Sequence, residues 1–188
     1  MTINIRNKVF ETNSSSVHTL IFHKTDFSNV LDDTYMEIHG GYYGRCPEPP
    51  LTTIEERLNY LWTAVWDLHI KYEYDKEEWI TIVDKEGLQW WKDAIHMYCP
   101  NAVLYDIKDE DWYGVDHVDC LTPLLSAIKI DISILKDFLL DPVGKIYVSG
   151  DEYSEEEEPF NHNEIPWVDE YEKLISYNDG IYVYVKGN

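Results

Sequence analysis

The segment Lys8-Val9-Phe10-Glu11-Thr12-Asn13-Ser14-Ser15-Ser16-Val17-His18-Thr19-Leu20 sets a carboxylate, an amide, three serine hydroxyls and an imidazole between apolar anchors. A hydroxyl beside an imidazole is the pairing that nucleophilic catalysis uses. Such a run also arises in turns, because Asn and Ser side chains hydrogen-bond neighbouring backbone groups. Leu20-Ile21-Phe22 reads as a strand from its β-branched and aromatic residues. Alternation along that strand puts Ser16, His18 and Leu20 on one face, so Ser16 and His18 are the best-placed pair.

Trp112-Tyr113-Gly114-Val115-Asp116-His117-Val118-Asp119-Cys120 forms a second polar cluster, with a turn signal ahead of an Asp-His pair. Two histidines from separate elements suit phosphodiester cleavage. One accepts the proton of the attacking hydroxyl and the other donates to the leaving oxygen. Asp116 or Glu11 would orient an imidazole, and Arg6 or Arg45 would hold phosphate bidentately. Asn13, Ser14 and Ser15 complete the expected substrate-binding set. If the chain is an enzyme, this chemistry is that of a metal-independent ribonuclease with no cofactor. Asp116, His117, Asp119 and Cys120 also include ligand types for zinc or manganese, but their spacing matches no standard site, so no metal is expected. A plain loop histidine is the competing reading of His117. His69 and His96 fall among apolar and aromatic residues, where satisfied core or boundary histidines are usual. The sequence contains no P-loop, GxGxxG, HExxH or GxSxG, which counts against nucleotide-dependent enzymes, zinc proteases and α/β-hydrolases.

These groups need a scaffold, and 188 residues are enough for one domain with a substantial core. Hydrophobic residues make up 44% of the chain, with 7 Trp and 15 Tyr, too apolar a composition for a disordered acidic protein. Cys46, Cys99 and Cys120 are odd in number and widely spaced, with no CxxC pair, which points to a reducing compartment. Neither a signal-peptide core nor a membrane-length apolar run is seen, so a soluble, intracellular (cytoplasmic) protein with no membrane partner is expected.

Turn formers at Gly40-Gly41, Gly44, Pro47, Pro49 and Pro50 predict a structured loop or short hairpin over 24–52. Thr52 with Glu55 predicts a capping box, and Leu58, Leu61, Trp62, Val65, His69 and Tyr72 recur at helical spacing to about residue 74. A second helical stretch is expected over 76–99, with Gly87 as a point where it divides. Strands are expected at 102–107, 145–148 and 181–185, and a helix at 134–140 capped by Ser133. The irregular mixture predicts an α+β fold: a mixed or antiparallel sheet against two or three helices in a single domain over 1–188. An exposed acidic loop is expected at 151–159, carrying Asp151, Glu152, Glu155, Glu156, Glu157 and Glu158.

Phe10-Glu11-Thr12-Asn13-Ser14-Ser15-Ser16-Val17-His18 resembles the N-terminal signature of small, largely uncharacterised proteins of Gram-positive bacteria and their phages. Val115-Asp116-His117 is similar to a Val-Asp-His element of the same proteins, in which Ser or Gln often follows; Val118 departs from that pattern. The likeness implies that Glu11, Asn13, Ser14, Ser15, Ser16 and His18 share a site with Asp116 and His117. In size and acidity the chain is similar in character to anti-CRISPR and other counter-defence proteins.

The 36 acidic residues against 15 basic give a formal charge of −21, which repels free nucleic acid and attracts basic partners. The expected function is therefore counter-defence: engagement of a basic nucleic-acid-binding protein or ribonucleoprotein such as a Cas nuclease. Cleavage of its guide RNA through the Ser/His site is one form of this. A non-catalytic acidic decoy is the alternative, with the acids of 151–158 as partner-binding groups. An unrelated enzyme of small metabolites or protein modification is a third reading.

Overall fold

Leu51 is held extended by exchanging backbone hydrogen bonds of 2.8 and 3.0 Å with Ile146, and this decides where the first long helix begins. In the computed structural model, which describes residues 17–25, 31, 34–44, 49–75, 78–107, 113–115, 118–149, 174–176 and 181–186, helix α1 spans Ile54–Leu68. Its cap is Thr53, whose Oγ1 accepts from Glu56 N at 3.2 Å, while Glu56 Oε2 accepts from Thr52 N and Thr53 N at 2.8 Å each. The capping box therefore lies one residue beyond the expected Thr52–Glu55 pair. Both registers exist in Thr52-Thr53-Ile54-Glu55-Glu56, and the extended pairing at Leu51 favours the later one.

Helix α1 ends at Leu68, where His69 N donates to Trp66 O at 3.0 Å, rather than running to residue 74. Strands β4 (Ile70–Asp75) and β5 (Glu78–Val83) follow, paired antiparallel from Ile70↔Val83 to Asp75↔Glu78. The expected helical reading is thus corrected over 78–83. Alternation in Ile70-Lys71-Tyr72-Glu73-Tyr74 and the β-branched run Ile80-Thr81-Ile82-Val83 outweigh spacings that also fit a helix. Helix α2 (Lys85–His96) starts at Asp84, whose Oδ1 accepts from Gly87 N at 3.0 Å. Gly87 lies in the first turn and divides nothing. A Cβ there would stand 2.3 Å from His69 Cδ2, so glycine lets the imidazole lie against the turn.

In the segment 24–52, where a structured loop or short hairpin is expected, the described strands do not pair with each other. Strands β2 (Met36–Ile38) and β3 (Tyr42–Tyr43) instead pair in parallel with the distant β6 (Ala102–Leu104) and β7 (Gly114–Val115). The link between β2 and β3 is fastened to α1: His39 N and Gly40 N donate to Asn59 Oδ1 at 3.1 and 3.0 Å, and Gly41 N to Thr63 Oγ1 at 3.0 Å. Gly40 has φ +85°, a conformation that favours glycine.

A 3-10 turn (Val118–Leu121) leads into helix α3 (Thr122–Ile130), which the sequence reading does not anticipate although Pro123 sits at its start. Helix α4 (Ser133–Leu140) follows; Ser133 is its first residue rather than its cap, and its Oγ donates to Asp131 Oδ1 at 2.7 Å. The main sheet joins β1 (Val17–His23), β8 (Lys145–Ser149), β9 (Leu174–Ser176) and β10 (Ile181–Lys186) in the order β8-β1-β10-β9, every pair antiparallel. Strand β9 is also unanticipated.

His18, Leu20 and Phe22 of β1 and Ile146 and Val148 of β8 are buried together against the helices, as period-two alternation requires. Leu61, Trp62 and Val65 of α1, Trp91 and Ile95 of α2, Ile128 of α3 and Leu135, Phe138 and Leu139 of α4 complete one core. With four helices among the described residues against sheets that are mainly antiparallel, the fold is α+β as expected. No described helix is long and apolar enough to cross a membrane.

Candidate functional site

His18 is the member of the expected catalytic group with a described position. Its ring is 0% exposed, and Nδ1 lies 2.7 Å from the Tyr60 hydroxyl of α1. The space next to Tyr60, walled by Leu20, Leu61, Leu125 and Phe138, amounts to about 10 Å³, room for a single water at most. Here the imidazole acts as a polar tie between sheet and helix. Glu11, Asn13, Ser14, Ser15, Ser16, Arg45, Asp116, His117 and the acids of 151–158 lie outside the described residues. His69 and His96 are held by backbone carbonyls: His69 Nδ1–H donates to Val65 O at 2.7 Å, and His96 Nε2–H to Ala102 O at 2.9 Å. Among the described residues no group of His, Cys, Asp and Glu is arranged to hold a metal ion.

At the far end of β1 the structure assembles groups that the sequence reading passed over. Asp137, in the last turns of α4, and Asp141, the residue that caps its C-terminal end, are each 1% exposed. Asp137 Oδ1 accepts from Thr25 N at 2.9 Å and Thr25 Oγ1 at 3.1 Å, and Asp141 Oδ2 from His23 N at 2.7 Å and His23 Nδ1–H at 2.9 Å. The two carboxylates thus satisfy alternate backbone N–H groups where the strand ends. Arg57 of α1, also 1% exposed, donates through Nη2 to Leu139 O at 3.1 Å and Asp141 O at 2.7 Å, closing the last turn of α4. The available signal was Asp137 with Asp141 four residues on, flanking the apolar run Phe138-Leu139-Leu140. His23 carries an oriented ring, but the same Asp141 Oδ2 also holds the His23 backbone N–H of the strand end, while Oδ1 accepts from Val143 N at 2.9 Å.

The outward face of β2 and β6 is different in kind. Met36, Ile38 and Ala102 point into the core, so alternation turns Tyr35, Glu37 and His39 outward beside Val103 and Tyr105. Tyr35 OH donates to Glu37 Oε1 at 2.6 Å and Tyr105 OH to the same oxygen at 3.4 Å; His39 Nε2 stands 3.7 Å from Oε2. The His39 and Tyr105 rings stack, 4.4 Å apart and 9° from parallel. The Tyr35 bond, aided by His39 and Tyr105, holds the Glu37 carboxyl below the usual carboxylate range, and that bond also raises the Tyr35 hydroxyl. Tyr35 is 64% exposed and Tyr105 40%, so this is a surface and not a sealed network.

The face is rigidly mounted. Trp62, buried in α1, donates from Nε1 to Tyr105 O at 2.8 Å, and Tyr105 N donates to Ile38 O at 2.9 Å. Lys92 of α2 meets Asp106 at 3.1 Å and lies over the Trp62 ring at 5.6 Å. Chemically, an ionised carboxylate set among flat rings suits an ammonium or guanidinium group, which gains an ion pair and cation–π contact together. Neither Tyr35 nor His39 was singled out from sequence, although Tyr35-Met36-Glu37-Ile38-His39 alternates polar and apolar residues. Compared with protein-family models, curated proteins and solved structures, the chain matches none of them.

Proposed function

We propose that the chain is an acidic docking protein of the counter-defence kind, which engages a basic nucleic-acid-binding protein or ribonucleoprotein in the bacterial cytoplasm and acts without cutting RNA. The observation that carries this reading is the Glu37 carboxylate, pre-positioned by Tyr35, Tyr105 and His39 on an exposed strand face of a chain with a charge of −21. The overall field draws in a basic partner, and the rings supply the rigid amphipathic contact area typical of interface hot spots. Guide-RNA cleavage has less support, because His18 is 0% exposed and engaged with Tyr60.

A guide-loaded Cas nuclease is the first partner to test. Incubation with the protein should suppress target cleavage, leave the guide RNA at full length on a denaturing gel, and lose potency as salt rises. Undiminished target cleavage would count against docking to that partner. Shortened guide RNA would restore the catalytic reading.

A further inference from the structure

A cleft of about 200 Å³ opens between α3 and the junction of α1 with α2, lined by His69, Trp91, Thr122, Leu125, Ser126 and Lys129, with Leu68 beside them. Thr122, Ser126 and Lys129 recur at i, i+4 and i+7, so one face of α3 supplies two hydroxyls and an ammonium. The chain has 36 acidic residues, yet among the described residues no carboxylate lines this cleft. Lys129 forms no ion pair with a described residue; its Nζ sits 5.6 and 5.8 Å from the Trp90 and Trp91 rings, which fixes where its charge lies.

The wall also contains an unmet donor. Trp91 is 0% exposed, and its indole N–H has no hydrogen-bond partner among the described residues. A buried donor left unmade is costly, and an acceptor that reached it would recover that cost. His69 is held in place: its Nδ1–H donates to Val65 O, and its Nε2 stands 3.9 Å from Asp84 Oδ2. Leu68, Leu125 and the Trp91 ring give the rest of the lining an apolar character.

We infer that this cleft is a binding site for a small organic anion, a carboxylate or phosphate monoester on a compact apolar body, with the oxyanion held by Lys129, Ser126 and Thr122. The size fits a single-ring ligand, since a cavity of about 150 Å³ takes up benzene. This site is independent of the β2–β6 face.

Benzoate, phenyl phosphate and neutral benzyl alcohol serve as probes, read by the indole N–H resonances of the full chain, with Trp91 assigned from Trp91→Phe. Either anion should shift the Trp91 resonance saturably below about 10 mM, an affinity of roughly the millimolar range. Lys129→Gln should weaken binding at least about tenfold, the loss of one charge-assisted contact. Ser126→Phe, which fills the cleft from an exposed position, should abolish it. Binding of only one anion fixes which acid the site takes. Absence of a saturable shift with both anions, equal binding of benzyl alcohol, or unchanged affinity in folded Lys129→Gln would overturn the inference.

Discussion

Substitution of Gly144 by alanine examines how α1, α4 and the end of β1 are joined. A Cβ at Gly144 would lie 1.9 Å from Arg57 Nη1 and 3.2 Å from both Arg57 Cζ and Asp141 Oδ2. An arginine head group could ordinarily swing aside, but this one is 1% exposed and tied to Leu139 O and Asp141 O at 3.1 and 2.7 Å. Moving it breaks both charge-assisted bonds and leaves two helix-end carbonyls and the Asp141 carboxylate short of their buried counter-charge. Disrupting a buried ionic group in this way costs about 3–5 kcal/mol, with each hydrogen bond to a charged group contributing about 1.5–3. For a chain of this size the melting temperature should fall by about 10 °C. Urea unfolding followed by far-UV circular dichroism gives the free energy directly. The cause is isolated by repeating Gly144→Ala in an Arg57→Met background, where no Nη1 remains to collide. There the alanine should cost clearly less than in the wild-type background, since only the 3.2 Å approach to Asp141 Oδ2 remains. An equal cost in both backgrounds would refute the proposed collision.

Cys99 is 0% exposed and burial pushes its thiol up to about 11, so in native protein it should resist a thiol reagent at mildly alkaline pH and react only after unfolding; mass spectrometry of the labelled peptides checks this. Glu56→Ala removes the acceptor for Thr52 N and Thr53 N and should destabilise by about 1 kcal/mol. Because the Thr53 backbone N–H bond foremost holds the Glu56 carboxyl below its ordinary value, its contribution is present above the unfolded-state value and fades as pH falls through the folded one. The difference between wild type and Glu56→Ala in urea should therefore shrink in acid. Asp67 behaves oppositely: burial raises its carboxyl, so Asp67→Asn should raise the melting temperature at neutral pH, and that gain should vanish on acidification.

The readable parts of the fold were those where one local pattern had no rival. Leu20-Ile21-Phe22 and Lys145-Ile146-Tyr147-Val148 are strands in sequence and in space, and the spacing of Leu58, Leu61, Trp62 and Val65 found α1. Ambiguity arose where two periods overlapped. Leu68, His69 and Tyr72 extend a helical stripe, but Ile70-Lys71-Tyr72-Glu73-Tyr74 also alternates, and long-range pairing with β5 decided between them. Partners far along the chain were likewise hidden: Glu37 opposes Val103 across a parallel pair that no turn signal announces. The same reason conceals the outward face, since Tyr105 reaches Glu37 only through that pairing. His18 was visible by its residue type, but its burial against Tyr60 depends on α1 packing over β1.

The central claim is tested most directly by the affinity for a guide-loaded Cas nuclease, measured across salt concentrations for wild type and for a folded Tyr35→Ala/Glu37→Gln/Tyr105→Ala variant. The two tyrosines are exposed, and the bonds from Tyr105 to Trp62 and Ile38 run through its backbone and survive the substitution, so the variant should fold. Wild type should bind tightly and salt-sensitively, and the variant should lose about 2 kcal/mol or more, roughly thirtyfold. Binding that is unchanged by the three substitutions, or that does not weaken with salt, would contradict that claim.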